Sequence, residues 1–153
     1  MTYYCGNHFL NNRIVYTPRY PHIEKLSWNA SAQFCRNLWN GTGQMIRLRY
    51  PNEHRKIHDI LGGGALSYWI GASDINREEQ WSWMDGCPVK PSIVKWAPGQ
   101  PDNVYGQQHC LTYSKKYQLD DDTCSRSRLV VCELSPIKTH CGKNISAEIC
   151  VSS

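Results

Sequence analysis

Apolar residues recur along this chain first at helical spacing and then at strand spacing. From Ser27 to about Leu38 they fall every three residues, at Ala32, Cys35 and Leu38, and Ser27 stands where a helix wants a capping hydroxyl. That stripe predicts a first helix with one face on a core. A second helix is predicted after Pro51, with Asn52 as cap, Ile57, Ile60 and Leu61 on one face, and Gly62-Gly63-Gly64 as its stop. The triple glycine follows a helix instead of a strand, which is the wrong order for a phosphate cradle. Beyond Gly64 the pattern changes to short strand-like runs at 68–70, 81–83, 109–113 and 129–132. A long stretch rich in Pro, Gly, Asp and Asn interrupts them, and a loop of that length pinned by cysteines is more often functional than disordered. The expected fold class is α+β.

The 153 residues fit one domain of ordinary size. No repeat, low-complexity tract or Pro/Ser-rich linker divides them, so residues 1–134 read as the domain and 135–153 as a cysteine-containing tail packed on or near it. Eight cysteines without a CxxC, or a Cys/His quartet at zinc-finger spacing, point to disulfides and an oxidising compartment. Three sequons, at Asn29, Asn40 and Asn144, agree with a secreted, extracellular glycoprotein. The start, Met1-Thr2-Tyr3-Tyr4-Cys5, lacks a basic residue followed by an apolar run and reads as a mature form carrying an added methionine. No stretch approaches transmembrane length. The net charge of +4 is spread out, and its densest cluster, Arg47, Arg49, Arg55 and Lys56, alternates with apolar or acidic neighbours, which argues against a nucleic-acid partner. Neither GxSxG nor HExxH occurs, and no enzyme is expected.

Several motifs stand in one order: Ser27-Trp28 to Phe34-Cys35, Trp69-Ile70-Gly71, Trp81-Ser82-Trp83-Met84-Asp85-Gly86, and Trp96-Ala97-Pro98-Gly99-Gln100-Pro101-Asp102-Asn103. His109-Cys110, Asp120-Asp121 before Cys124, and Val131-Cys132-Glu133 follow. From about Ile14 to Glu133 this set resembles the animal C-type lectin family. The resemblance implies two helices flanking small antiparallel sheets, a long calcium-binding loop, and the disulfides Cys35–Cys132 and Cys110–Cys124. The second would close a loop of about 15 residues, worth roughly 3 kcal/mol of chain entropy, and would hold the intervening ligands without helix or sheet. For Cys5, Cys87, Cys141 and Cys150 three pairings remain open. Cys141–Cys150 would leave Cys5 with Cys87, and the rival pins the tail through Cys5 and leaves one thiol for a second chain.

Calcium takes six to eight oxygen ligands, and Gln100, Asp102, Gln108, Asp120 and Asp121 offer only carboxylate and amide oxygens. In the resembled family the peptide before Pro101 is cis, and the ion shares its ligands with two neighbouring sugar hydroxyls, each set between an acid and an amide. Gln100-Pro101-Asp102 resembles the galactose-binding branch. Terminal galactose-type sugars are therefore the first expected partners, with Gln100, Asp102, Gln108 and Asp120 as sugar contacts. The chain departs from the family at Gln108, where a glutamate is usual, and at Asp120, where an asparagine is usual. Three carboxylates remain, but both acid–amide pairs are reversed, which widens the expectation to other vicinal diols. Val104 replaces a tryptophan platform and leaves Tyr105 as the aromatic substitute. Asp74, Glu78 and Asn103 match an auxiliary calcium site that has lost two acids, at Gln108 and His109. Asp74 and Glu78 are accordingly expected to be solvated turn residues and His109 an edge-strand residue. Zinc on His109, Cys110 and Cys124 is set aside because the disulfide uses both thiols. The rival to sugar binding is a protein-binding domain of the same fold, and clustering into a homo-oligomer would add avidity to weak single sites.

Overall fold

The computed structural model describes residues 7–11, 13–17, 25–61, 67–114, 118–134, 138–140 and 143–145. In chain order these form β1 (Asn7–Leu10), β2 (Arg13–Tyr16), α1 (Trp28–Asn37), β3 (Gln44–Met45), α2 (Glu53–Leu61), β4 (Tyr68–Ser73) and β5 (Ser82–Trp83). Then come β6 (Cys110–Ser114), β7 (Gln118–Asp122), β8 (Leu129–Val130), β9 (Cys132–Leu134), β10 (Lys138–His140) and β11 (Lys143–Ile145).

Both helices form where their stripes predict. The Ser27 hydroxyl accepts from the Ala30 N–H at 3.3 Å, and Ala32 and Cys35 are buried with Leu38 packed beside them. Trp28 fixes the helix to the sheet by donating Nε1–H to the Ile70 carbonyl at 2.9 Å. In α2, which begins just after Asn52, Ile57 is buried and Ile60 and Leu61 pack against the same core. The glycines proposed as its stop lie outside the described residues.

Of the three sheets among the described residues, β10 and β11 pair by themselves and the other two divide the work. One, in the order β1-β2-β9-β3, joins both ends of the domain, with Val15 opposite Glu133 and Tyr16 opposite Cys132. The other runs β5-β4-β6-β7, with β8 parallel to β4. The predicted run at 129–132 is in fact two strands, because the chain leaves the second sheet at Val130 and enters the first at Cys132. Val131 bonds to both neighbours there, donating to Trp69 O and accepting from Ile46 N. Gly71 permits β4 to pass close to this crossing: a Cβ on it would sit 3.1 Å from the carbonyl oxygens of Met45 and Ile46.

Cys35–Cys132 ties α1 to β9, and Cys110–Cys124 closes the segment beyond β6, with Cα separations of 5.3 and 5.2 Å. Cys87 is also disulfide-bonded. The choice of its partner among Cys5, Cys141 and Cys150 lies outside the described residues.

Two expectations are corrected. Asp120 and Asp121 do not hang in an irregular loop but lie on β7, where Asp120 faces Thr112 and Asp121 faces Leu111 of β6. A run of one leucine among acids and a glutamine shows no period-2 hydrophobic pattern, so pairing with an apolar neighbour, β6, makes it a strand. His109 likewise precedes β6 instead of belonging to it.

Candidate functional site

The long segment after Trp96 is laid onto β7 by backbone bonds. Leu119 donates to Lys95 O and accepts from Ala97 N, both at 2.8 Å, and Gln100 N then bonds Ala97 O. The Gln100–Pro101 peptide is cis, and Gln100 Nε2 donates to Asp102 Oδ2 at 3.2 Å. Asp121, almost wholly buried on β7, takes the Asp102 N–H on one carboxylate oxygen at 3.0 Å and the Asn103 N–H on the other at 2.7 Å. Gln108 closes the turn: its Oε1 accepts from Val104 N and its N–H donates to Asn103 Oδ1, both at 3.0 Å. Thr112 donates to the Asp120 carbonyl from the neighbouring strand. Gln100 is thus linked to Asp102, Asp102 to Asp121, and Gln108 to the same turn through Asn103, while Asp120 precedes Asp121 on the middle rung of the β6–β7 ladder.

Electrostatics there are lopsided. Partial burial, then the charges of Asp121, Asp102 and Asp122, push the Asp120 carboxyl up to about 6 against a backbone hydrogen bond that lowers it. Asp122, which the sequence reading did not single out, is answered by Arg128 at 2.7 Å and Arg126 at 3.2 Å. Asp102, Asp120 and Asp121 have no ion pair among the described residues. Gln100 Oε1 is buried and accepts no hydrogen bond. A buried acceptor without a donor beside three unpaired acids is a donor set that fits a calcium ion.

Tyr105 turns away from the loop interior. Asn103, Tyr105 and Gly106 all take left-handed backbone angles, and the tyrosine side chain stands 92% exposed, free to meet a ligand's apolar face.

Close by, Asp74, Glu78 and His109 bring one ligand atom each within 4.8 Å of one another, the one such group among the described residues. This overturns the solvated-turn expectation for Asp74, which is 3% exposed. The cause is tertiary: Asp74 N bonds His109 O at 3.1 Å, which extends the β4–β6 ladder by one rung and sets the two side chains side by side. Asn103 joins this group through Glu78, to which its amide donates at 2.5 Å. Of the sequons, Asn29 and Asn40 are exposed, and the side chain of Asn144 lies outside the described residues.

The family model for the lectin C-type domain matches residues 24–134. Perlucin of Haliotis laevigata is 39% identical over 112 residues, covering 71% of this chain and 70% of its own length. The CD209 antigen of Symphalangus syndactylus is 37% identical over 136 residues, covering 88% of this chain but 32% of the longer protein. This chain therefore spans about a third of that relative. Among solved structures, the mouse scavenger receptor C-type lectin carbohydrate-recognition domain superposes with a TM-score of 0.71 at 25% identity, covering 83% of this chain and 91% of that one. With a family model over most of its length, the two disulfides in place and the same architecture around them, this chain belongs to the C-type lectin domain family.

Proposed function

We propose that this chain is a calcium-dependent sugar-binding domain of the galactose type with relaxed selectivity, acting outside the cell by binding and not by catalysis. One observation carries the reading: the buried, partnerless Oε1 of Gln100 beside the unpaired acids Asp102, Asp120 and Asp121. Fold alone would not support it. Gln100, Asp102, Gln108, Asp120 and Asp121 would hold the ion. Bound calcium supplies coordination positions to two neighbouring sugar hydroxyls. Asp102 and Asp120 accept hydrogen bonds from such hydroxyls, the amide groups of Gln100 and Gln108 donate to them, and Tyr105 offers its exposed face to the ring carbons. Disulfide bonding of all five described cysteines is what an extracellular protein requires. Among the described residues no helix is long and apolar enough to cross a membrane.

A specific observation also favours a protein-binding role. Gln108 Oε1 and both Asp121 oxygens already hold backbone N–H groups, so the loop satisfies part of its own ligand set. Calorimetry with calcium separates the two. The sugar-binding reading expects one tight calcium, its loss in Asp102→Asn, a melting temperature raised by calcium, and retention on galactose resin released by chelator. A chain that melts identically with calcium or chelator, and passes through sugar resin, is the protein-binding module instead.

A further inference from the structure

We propose that Asp74, Glu78 and His109 form a second metal site that takes zinc, or a divalent cation of the same borderline class, in place of calcium. Nδ1 of His109 lies 3.0 Å from Asp74 Oδ1 and 3.3 Å from Glu78 Oε2. Ligands held about 2.0–2.2 Å from a tetrahedral ion stand roughly 3.3–3.5 Å apart, so small shifts let these three atoms share one ion.

The outer contacts aim the inner ones. Nε2 of His109 faces the Gly106 carbonyl at 3.3 Å, Asp74 Oδ2 accepts from Glu79 N at 2.9 Å, and Glu78 Oε1 accepts from Asn103 at 2.5 Å. Each ligand thus has its far atom occupied and its near atom turned to a common point. An imidazole whose Nε2–H donates to a carbonyl presents a lone pair on Nδ1, the arrangement by which histidine ligands are oriented. Metal binding needs the Nδ1 lone pair, so any proton at that atom leaves to solvent as the cation enters, with no change of oxidation state.

Donor chemistry selects the ion. Two carboxylate oxygens and one ring nitrogen fall far short of the six to eight oxygens calcium takes, while imidazole with carboxylates suits zinc. Asp74 is buried, whereas the Glu78 and His109 side chains are 48% and 30% exposed, which opens a fourth position to water. The site meets the proposed sugar loop through Asn103, through the Gly106 carbonyl and through the peptide that joins His109 to Gln108, and the inference does not depend on that loop binding calcium.

The test uses the full chain, stripped with chelator and then saturated with calcium so that the loop site is blocked. Zinc is titrated by calorimetry, and cobalt(II) is titrated in parallel by visible absorption. The expected result is one zinc per chain, intense cobalt bands of low-coordinate geometry, and at least about tenfold weaker zinc binding in His109→Asn. Glu78→Gln, at a half-exposed position where folding is not at stake, should also weaken zinc while leaving the calcium titration unchanged. His109→Asp should exchange zinc preference for a second calcium. Absence of zinc binding, displacement of zinc by calcium, or unchanged zinc affinity in both His109→Asn and Glu78→Gln would overturn the assignment.

Discussion

The two ends of this domain hold their acids in opposite ways. Beside the sheet that joins β2 to β9, Arg13 lies buried between Glu53 and Glu133, and Arg49 adds a second cation at 3.0 Å from Glu133. Gln44, Asn11 and the backbone N–H groups of Arg49 and Tyr50 bond the same two carboxylates. Two acids meet two guanidiniums. Burial works against the Arg13 charge, but Glu133 and Glu53 outweigh it and its pKa moves up. At the loop end, Asp120 and Asp121 accept from backbone N–H groups and Asp102 from the Gln100 amide, but none meets a cation among the described residues, and Asp120 is pushed up to about 6. The difference is instructive. Acids already answered by cations fasten β2, α2 and β9 together, whereas acids left unanswered are those an external ion can meet.

The largest expected effect breaks the balanced end. Arg13→Met leaves Glu53 and Glu133 buried without their shared cation, and loss of one partner from a buried pair costs about 3–5 kcal/mol. Denaturant unfolding should register that loss with or without calcium. A change below about 1 kcal/mol would mean that Arg49 and the neutral donors suffice.

A smaller effect of opposite sign is expected at the loop end. With its carboxyl raised from 3.8 to about 6, folded Asp120 keeps a proton that the unfolded chain has already lost. Its contribution to stability is therefore full below pH 4 and disappears as pH rises through 6. The calcium-free protein should lose stability across that window, and Asp120→Asn should flatten the difference. Calcium needs the carboxylate, so its affinity should fall below pH 6. Thermal melts of both proteins from pH 4 to 7, with chelator and with calcium, check the sign.

The smallest effect concerns selectivity. Gln108→Glu together with Asp120→Asn keeps three carboxylates among the five ligands but reverses one acid–amide pair. Calcium affinity should barely move, and preference for galactose over mannose on a sugar array should rise by a few-fold. An unchanged profile would show that hydrogen-bond polarity at these two positions does not set which diol is taken.

Much of the framework was legible because it rests on local signals. The α1 stripe, the Ser27 cap, and Ile57 with its neighbours on α2 each follow from helical periodicity, and the order of the tryptophan motifs carried the family. The cysteine pairs came with that resemblance and are present. Less legible was anything decided by a neighbour distant in sequence. The strand β7 carries three acids in five residues and reads as a loop until β6 lies beside it. Nothing local pairs Arg13 with Glu53 and Glu133, which meet only because the fold places β9 between β2 and β3.

The sequence by itself determined the two helices, the class of fold, and the residue types of the loop, since period, caps and oxygen-bearing side chains are properties of the chain. Only the tertiary structure decided which of those side chains meet. One extra rung between Asp74 and His109 buried an acid expected to be a solvated turn residue and, with Glu78 on its exposed turn, gave three converging ligand atoms. Burial on β7 made Asp121 the anchor of the loop backbone, and the fold buries Gln100 Oε1 without a donor. Hydrogen-bond partners and charge neighbours are set by distances of a few ångströms between elements remote along the chain, and no local pattern encodes those distances.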